Sequence, residues 1–231
     1  MAELKSLSAS VDSSENGSEK LLLREVAYKR LKNAIRDGDL QPGDPLFEIH
    51  LSEKLNISRT PVREALQQLV LEGLVKNMPN RAMTVAAPSM EELLNVLHIR
   101  SLVDPEVARL VAGAATTEVV QLLEATVERM EQAAAEGNRK DWSRADSLFH
   151  ETMGAACPNV LLGQLSLQMR NRTQLAATDA KTSSPRLVEC TKEHIQVIEA
   201  IANRDADKAK EAMQRHIELQ RESLFKRMMH I

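Results

Sequence analysis

The sequence predicts a mostly α-helical protein, with an N-terminal winged helix-turn-helix followed by an all-α antiparallel helical bundle. Three observations lead to this fold class. Aromatic residues make up only 2% of the 231-residue chain, and helix formers such as Ala and Leu dominate over strand formers. Three helical patterns and two strand-like segments fall within the first 88 residues. From Pro88 onward, apolar residues recur at helical spacing between short polar breaks.

Composition and charge exclude several classes of protein. The two cysteines, Cys157 and Cys190, are too few for a disulfide framework and lack the spacing of a zinc motif. No apolar run is long enough to span a membrane, and the N-terminus lacks the apolar segment of a secretory signal. These features predict a cytoplasmic protein. A small positive charge balance in residues 21–88 permits DNA binding there but does not establish it.

The first part of the chain divides at turn residues. Residues 1–20 are rich in Ser and acidic side chains and predict a disordered tail. A helix follows over about residues 21–36 and ends at the Gly- and Pro-rich run "DGDLQPGDPL". A second helix spans about residues 48–55. After the turn "NIS", a third helix begins at Ser58, whose hydroxyl is suited to cap its free N–H groups.

Two short strands are predicted after the third helix. Leu74 and Val75 form the first, and residues 83–85 form the second, with the sequence "NMPNRA" as a Pro-Asn turn between them. Three helices followed by such a hairpin describe a winged helix-turn-helix over residues 21–88.

The rest of the chain, residues 89–231, is predicted to form one helical domain. Breaks such as "GAATT" and "AEGNRK" separate its helices. The predicted segments span about 89–113, 116–136, 139–157, 160–178, 183–203 and 205–229. Pro105 lies inside the first segment, and we expect it to kink or restart that helix with Asp104 as the N-cap.

The third helix carries positive charge on its first two turns. Its apolar residues repeat at helical spacing and face the core: Val62, Ala65, Leu66 and Leu69. Arg59 and Arg63 therefore lie on the opposite stripe. In a helix-turn-helix, the start of this helix reaches base edges and phosphates, which Arg is shaped to bind. Alternatively, both arginines are solvated surface charges beside Glu64, although the surrounding elements favour DNA.

Three later helices place metal-capable residues on stripes that are otherwise apolar. Asp146 and His150 lie four residues apart, and His194 and His216 each take an inward position on a helix of their own. Buried imidazoles and carboxylates are costly unless they satisfy one another. A divalent cation such as Zn²⁺, Ni²⁺ or Mn²⁺ would satisfy all four. Alternatively, each residue is an ordinary hydrogen-bonded core side chain.

Residues of about 21–88 resemble the N-terminal domain of the GntR family of bacterial transcription regulators. The family signature is "SRTPVREAL" followed by "L..EGLV". The resemblance implies a homodimer that binds a pseudo-palindromic, double-stranded DNA operator. The residues that it implies in DNA binding are Arg36, Ser58, Arg59, Thr60, Arg63 and Arg81.

Residues of about 89–229 resemble the FCD type of C-terminal effector domain, named after the fatty-acid regulator of the same family. The motifs "DSLFHETM" and "EHIQVIEAIANRDADKAKEAMQRHI" carry this resemblance. In many such domains one Asp and three His hold a divalent metal, which implies that role for Asp146, His150, His194 and His216. Six helices rather than seven resemble the smaller, vanillate-regulator-like branch. An early "R..LE" motif appears from Arg100, with Asp104 in place of Glu.

The expected function is a ligand-responsive transcription regulator, a repressor rather than an enzyme. A small organic acid would bridge the metal and Arg100, with Arg172 and Arg170 as further candidates for effector binding. Two alternatives stay open: a metal-dependent hydrolase or lyase that carries a helix-turn-helix-like module, and a regulator with a purely structural metal. An open metal site can activate water, but the sequence shows no clear general base and no nucleophile motif.

Overall fold

The computed structural model describes three stretches of the chain: residues 17–77, 82–177 and 184–229. The chain divides into two compact units. The first comprises Met1–Pro88 and Gln174–Asp179, and the second comprises Ser89–Thr173 and Ala180–Ile231. Disorder was predicted for residues 1–20. Residues 1–16 lie outside the described residues, and the first helix begins at Gly17, four residues before the predicted start.

The first unit contains three helices and a small sheet. In chain order these elements are α1 (Gly17–Arg36), β1 (Pro45–Leu46), α2 (Glu48–Leu55), α3 (Arg59–Leu71), β2 (Val75–Lys76) and β3 (Met83–Val85). The strands pair antiparallel in the order β1-β3-β2. Strand β1 was not predicted, because two residues in a Pro- and Gly-rich run show no alternation and read as a turn.

The apolar stripe of α3 packs into the core of the first unit, as its spacing predicted. Val62, Leu66 and Leu69 are completely buried and belong to the same cluster as Leu31 of α1. Asn56 ends α2 in the left-handed conformation, with φ 53° and ψ 45°, which Asn tolerates better than most residues. This tight turn sets α3 against α2, and the outer stripe of α3 stays exposed.

Six helices follow Pro88 within the described part of the chain: α4 (Met90–Ala114), α5 (Thr117–Ala135), α6 (Arg139–Ala156), α7 (Val160–Ala177), α8 (Ser184–Ala202) and α9 (Ala206–Met229). Their bounds lie within two residues of the predicted ones. In the second unit α4 packs along α9, α5 packs against α6 and α8, and α8 packs against α9. None of the described helices is both long and apolar enough to cross a membrane.

Helix α4 does not restart at Pro105, one of the two outcomes predicted there; whether the proline kinks the helix stays a prediction. The helix runs through this proline, and its N-terminus is capped by Ser89. The Ser89 Oγ accepts from the Glu92 amide at 3.1 Å, and the Ser89 amide donates to Glu92 Oε2 at 2.7 Å. The Asp104 carboxylate does not cap a helix, because it accepts from the buried guanidinium of Arg100 at 2.8 Å.

Helices α6 and α7 approach each other closely at two glycines. A Cβ atom added to Gly163 would lie 2.2 Å from the carbonyl oxygen of Gly154, and one added to Gly154 would lie 3.2 Å from the Gly163 oxygen. Only glycine permits this backbone contact. The crossing fixes α7 beside the face of α6 that carries the metal-capable residues.

Candidate metal centre and DNA-reading helix

The structure brings the four predicted metal ligands together in the core of the second unit. Helix α6 supplies Asp146 and His150, α8 supplies His194, and α9 supplies His216. All four residues are buried, with exposed fractions between 0% and 8%. The three histidines each offer a ring nitrogen within 4.8 Å of the others. The stripe positions in the sequence therefore correspond to one cluster.

Three buried atoms of this cluster lack a hydrogen-bond partner among the residues that the structure describes. They are Asp146 Oδ1, His150 Nε2 and His194 Nε2. Asp146 Oδ1 lies 3.2 Å from His194 Nε2 and 3.7 Å from His150 Nε2. Buried polar atoms without partners are rare in proteins. One carboxylate oxygen and several imidazole nitrogens that face one another are a donor set that fits a divalent transition metal.

Neighbouring groups set the tautomers of two histidines. His194 Nδ1 donates to the carbonyl oxygen of Cys190 at 2.7 Å, and His216 Nδ1 donates to Glu193 Oε2 at 2.8 Å. In the neutral form of each ring, the lone pair therefore lies on Nε2, on the side of the cluster. Arg186 Nη1 holds the other oxygen of Glu193 at 2.5 Å. Such outer partners orient imidazole ligands in metal sites.

Burial and neighbouring charges shift the pKa values of three cluster residues in different directions. Burial opposes ionisation of Asp146, but Arg170, which donates to its Oδ2, keeps the pKa of this carboxyl well below its usual value. Burial and the charge of Arg170 lower the pKa of His150 well below the ordinary value. Burial would also lower the pKa of His194, but Cys190 and Asp146 raise it to about 10. A pKa of about 10 favours the protonated form of His194 beside the Asp146 carboxylate, as long as the Cys190 thiol, whose own pKa is lowered to about 7, is ionised.

Arg100 lies completely inside the second unit and is joined to the cluster. Its Nε donates to Asp104 at 2.8 Å, and its Nη1 donates to Thr173 Oγ1 at 3.0 Å and to Gln220 Oε1 at 2.9 Å. Gln220 Nε2 in turn lies 2.9 Å from His216 Nε2, to which it donates. Arg100 Nη2 is buried and has no hydrogen-bond partner among the described residues.

Three further residues bear on the centre: Arg172, which was predicted, and Glu193 and Gln220, which were not. Among the described residues, no hydrogen bond joins Arg172 to the four ligand candidates, and its role in effector binding stays a prediction. Glu193 and Gln220 were not predicted from the sequence. Gln220 could have been found from its position four residues after His216, which is one helical turn. Glu193 gives no such signal, since it precedes His194 directly and reaches a different helix.

The exposed stripe of α3 carries the predicted DNA-reading residues. Arg63 donates from Nε and Nη2 to the two oxygens of Glu48 on α2, both at 2.8 Å. Arg59 Nη2 lies 3.7 Å from the same carboxylate. Thr60 is exposed beside them. Glu48 was not singled out in the sequence, because the pair joins different helices.

The remaining predicted DNA-binding residues are Ser58, Arg36 and Arg81. Ser58 occupies the N-cap position of α3 with extended backbone angles, but its side chain makes no cap hydrogen bond, contrary to the sequence prediction. Arg36 Nε pairs with Asp37 at 3.0 Å at the end of α1. Arg81 lies outside the described residues, so its position in the wing stays a prediction.

The fold and the two sites define a winged helix-turn-helix DNA-binding protein whose helical unit contains a buried cluster of metal-capable residues. Residues 23–85 match the family described as "Bacterial regulatory proteins, gntR family", and residues 95–219 match the "FCD domain". The chain belongs to the GntR family of bacterial transcription regulators and carries an FCD domain. The family and fold class predicted from the sequence are thereby confirmed.

Similar proteins include named transcription repressors. The chain is 31% identical over 205 residues to the HTH-type transcriptional repressor GlaR of Escherichia coli K12, covering 82% of this chain and 90% of that protein. It is 28% identical over 199 residues to the repressor RspR of the same organism, covering 85% and 86%. The solved structure of E. coli McbR/YncC shares the fold with a TM-score of 0.78, at 22% identity, over 89% of this chain and 98% of that chain.

Proposed function

We propose that this protein is a metal-dependent, carboxylate-responsive transcription repressor that acts in the cytoplasm. Residues 21–88 bind the operator, and residues 89–231 hold the metal, the effector and the dimer contacts. The observation that carries this proposal is the set of buried, metal-capable atoms on Asp146, His150 and His194. These atoms face one another and have no hydrogen-bond partners among the described residues. The repressors GlaR and RspR support the sign of regulation.

The proposed ligands of the divalent cation are Asp146, His150, His194 and His216. Zn²⁺, Ni²⁺ and Mn²⁺ all suit imidazole and carboxylate ligands. Four protein ligands leave coordination positions on a six-coordinate cation for a small carboxylate effector. The buried, unpaired Nη2 of Arg100 supplies a charge-assisted hydrogen bond to the same effector, with Arg170 and Arg172 as further candidates. The six helices support a place in the vanillate-regulator-like branch.

The proposed DNA interface is centred on α3. Arg59, Thr60 and Arg63 lie exposed at its start, where a recognition helix meets base edges and phosphates. Arg36, Ser58 and Arg81 contact the flanking backbone in this proposal. One such module reads only a few base pairs, and a two-fold homodimer doubles the site into a pseudo-palindrome. Light scattering should show a dimer, whereas a monomer both free and on DNA would contradict this part.

The metal and effector roles can be tested together. Elemental analysis of purified protein should find one divalent cation per chain, and titration with small carboxylates should release the protein from DNA. His194→Ala and His216→Ala should lose the metal and the carboxylate response but keep DNA binding. His98→Ala, at an exposed histidine of α4, is the matched control.

Several outcomes would count against these roles. A metal-free protein that responds fully to carboxylates would refute the metal's regulatory role, and His216→Ala with its full metal content would refute the ligand assignment. Retained metal with no carboxylate response in the wild type would indicate a structural metal. Chemical turnover of a carboxylate would indicate the enzyme alternative.

A further inference from the structure

We propose that Glu48 is a specificity-determining residue of the DNA interface. Its carboxylate holds Arg63 and Arg59 in position to read the matching sequence, and it withholds the same side chains from phosphates elsewhere. This inference rests on the proposed roles of the two arginines. It assigns a function to a residue of α2, outside the recognition helix α3.

Arg63 and Glu48 form a two-bond ion pair on an exposed part of the surface. The Arg63 side chain is 54% exposed and that of Arg59 is 59% exposed, whereas that of Glu48 is 21% exposed. Arg63 forms two parallel bonds of 2.8 Å to the two carboxylate oxygens, through Nε and Nη2. Two-bond pairing fixes the orientation of a guanidinium as well as its position. The free protein therefore presents Arg63 in one defined orientation.

This orientation leaves the outer edge of Arg63 open to a base. A guanidinium carries five N–H groups, and the pair with Glu48 uses the one on Nε and one of the two on Nη2. The second N–H of Nη2 and those of Nη1 point away from Glu48. Two of them form the fork that matches the O6 and N7 atoms of guanine in the major groove. Arg63 can thus read a base while it stays bound to Glu48.

Binding to phosphates alone is opposed by the same carboxylate. Non-specific binding depends on the positive charge that a protein brings to the DNA backbone. Hydrogen bonding from Arg63 lowers the pKa of Glu48, so this residue is negatively charged at neutral pH. It neutralises part of the charge of the two arginines and repels phosphate. A phosphate on the free edge of Arg63 meets the repulsion of the Glu48 carboxylate, whereas guanine carries no net charge there.

The test compares two variants of the full-length protein that lose the same charge. Glu48→Gln removes the proposed function, and Glu53→Gln removes an exposed carboxylate elsewhere on α2. The probes are a duplex selected with wild-type protein from a randomised library and a duplex with the same bases in shuffled order. Dissociation constants are measured for both duplexes at several salt concentrations, after thermal melting has shown that each variant is folded.

Glu48→Gln should strengthen binding to the shuffled duplex by about two- to fivefold beyond Glu53→Gln, the range expected for one exposed ion pair. It should leave binding to the selected duplex unchanged or weaker, so the specificity ratio falls. For Glu48→Gln on the shuffled duplex, the slope of log K against the logarithm of the salt concentration should become more negative by about one. In an Arg59→Ala/Arg63→Ala background, Glu48→Gln should have no effect beyond that of Glu53→Gln.

Equal changes in the two Gln variants on both duplexes would overturn the proposal, since charge alone would then explain them. A fall in specificity that persists without the two arginines would also overturn it. If the double arginine variant binds the selected duplex as tightly as wild type does, the proposed DNA-reading function fails first. That result is separate from the behaviour of Glu48.

Discussion

Metal binding at the cluster should become tighter as pH rises from 7 to 9, with release of about one proton. The perturbed group is His194, whose pKa the surrounding charges raise to about 10. In the metal-free protein this imidazole is protonated throughout that pH range. A cation must displace the proton before it can use Nε2, since metal ligands have to be deprotonated. His150 contributes no proton, because its pKa lies well below the ordinary value.

The magnitude follows from the size of the pKa shift. One pKa unit corresponds to about 1.4 kcal/mol, so displacing the proton of His194 costs about 4 kcal/mol at pH 7 and about 1 kcal/mol at pH 9. The apparent dissociation constant for the cation should therefore fall about tenfold for each pH unit over this range. The dependence should level off near pH 10, where the metal-free imidazole has lost its proton.

Calorimetric titration with Zn²⁺ or Ni²⁺ at pH 7, 8 and 9 measures the affinity. Repeating it in two buffers with different ionisation enthalpies gives the number of protons released. His98→Gln, at an exposed histidine, should reproduce the wild-type slope. A dissociation constant that stays the same from pH 7 to 9, with no proton released, would refute the assignment of His194 as a ligand that is protonated in the metal-free protein.

Three further predictions concern single residues. Arg63→Ala should weaken operator binding in a band-shift titration by about 1–3 kcal/mol, the cost of one base-reading Arg, and unchanged affinity would contradict its role. Gly163→Ala should destabilise the protein by about 1–3 kcal/mol in thermal melts, because its Cβ would overlap a backbone oxygen of α6; Gly113→Ala meets open space and should cost nothing. Gln220→Ala should tighten metal binding about fivefold, since it frees His216 Nε2 from a hydrogen bond with a net value of about 1 kcal/mol. Weaker metal binding in this variant would show that Gln220 supports the site instead.

The helices were predictable from the sequence because each is long enough to repeat its apolar pattern several times. The helix over residues 117–135 shows this, with bounds close to those expected. Strand β1 was not predictable, since Pro45 and Leu46 are too short a segment to show a period. Helix α4 continues through Pro105 and packs along α9, and tertiary packing of this kind can override local preference.

A site residue was predictable from the sequence where a polar side chain occupies an otherwise apolar helix position. A residue whose role comes from a contact with another helix was not predictable. His194 and His216 stood out as polar residues at apolar positions. Glu193 and Glu48 did not stand out, because acidic residues are ordinary on helices and their significance lies in contacts across the fold. The pair of Arg63 with Glu48 spans 15 positions in sequence and depends on the turn at Asn56.

The contact between Arg170 and Asp146 has a consequence for the kind of anion that the centre accepts. Arg170 already neutralises the only carboxylate among the four proposed ligands, and Asp104 likewise neutralises Arg100. A divalent cation bound between neutral imidazoles would therefore leave excess positive charge in a buried, low-dielectric site, which is costly unless counter-charge enters with it. The loaded centre should thus favour anions over neutral molecules of similar size. Phosphate and citrate in a purification buffer would compete for the same place, so binding experiments require buffers without multivalent anions.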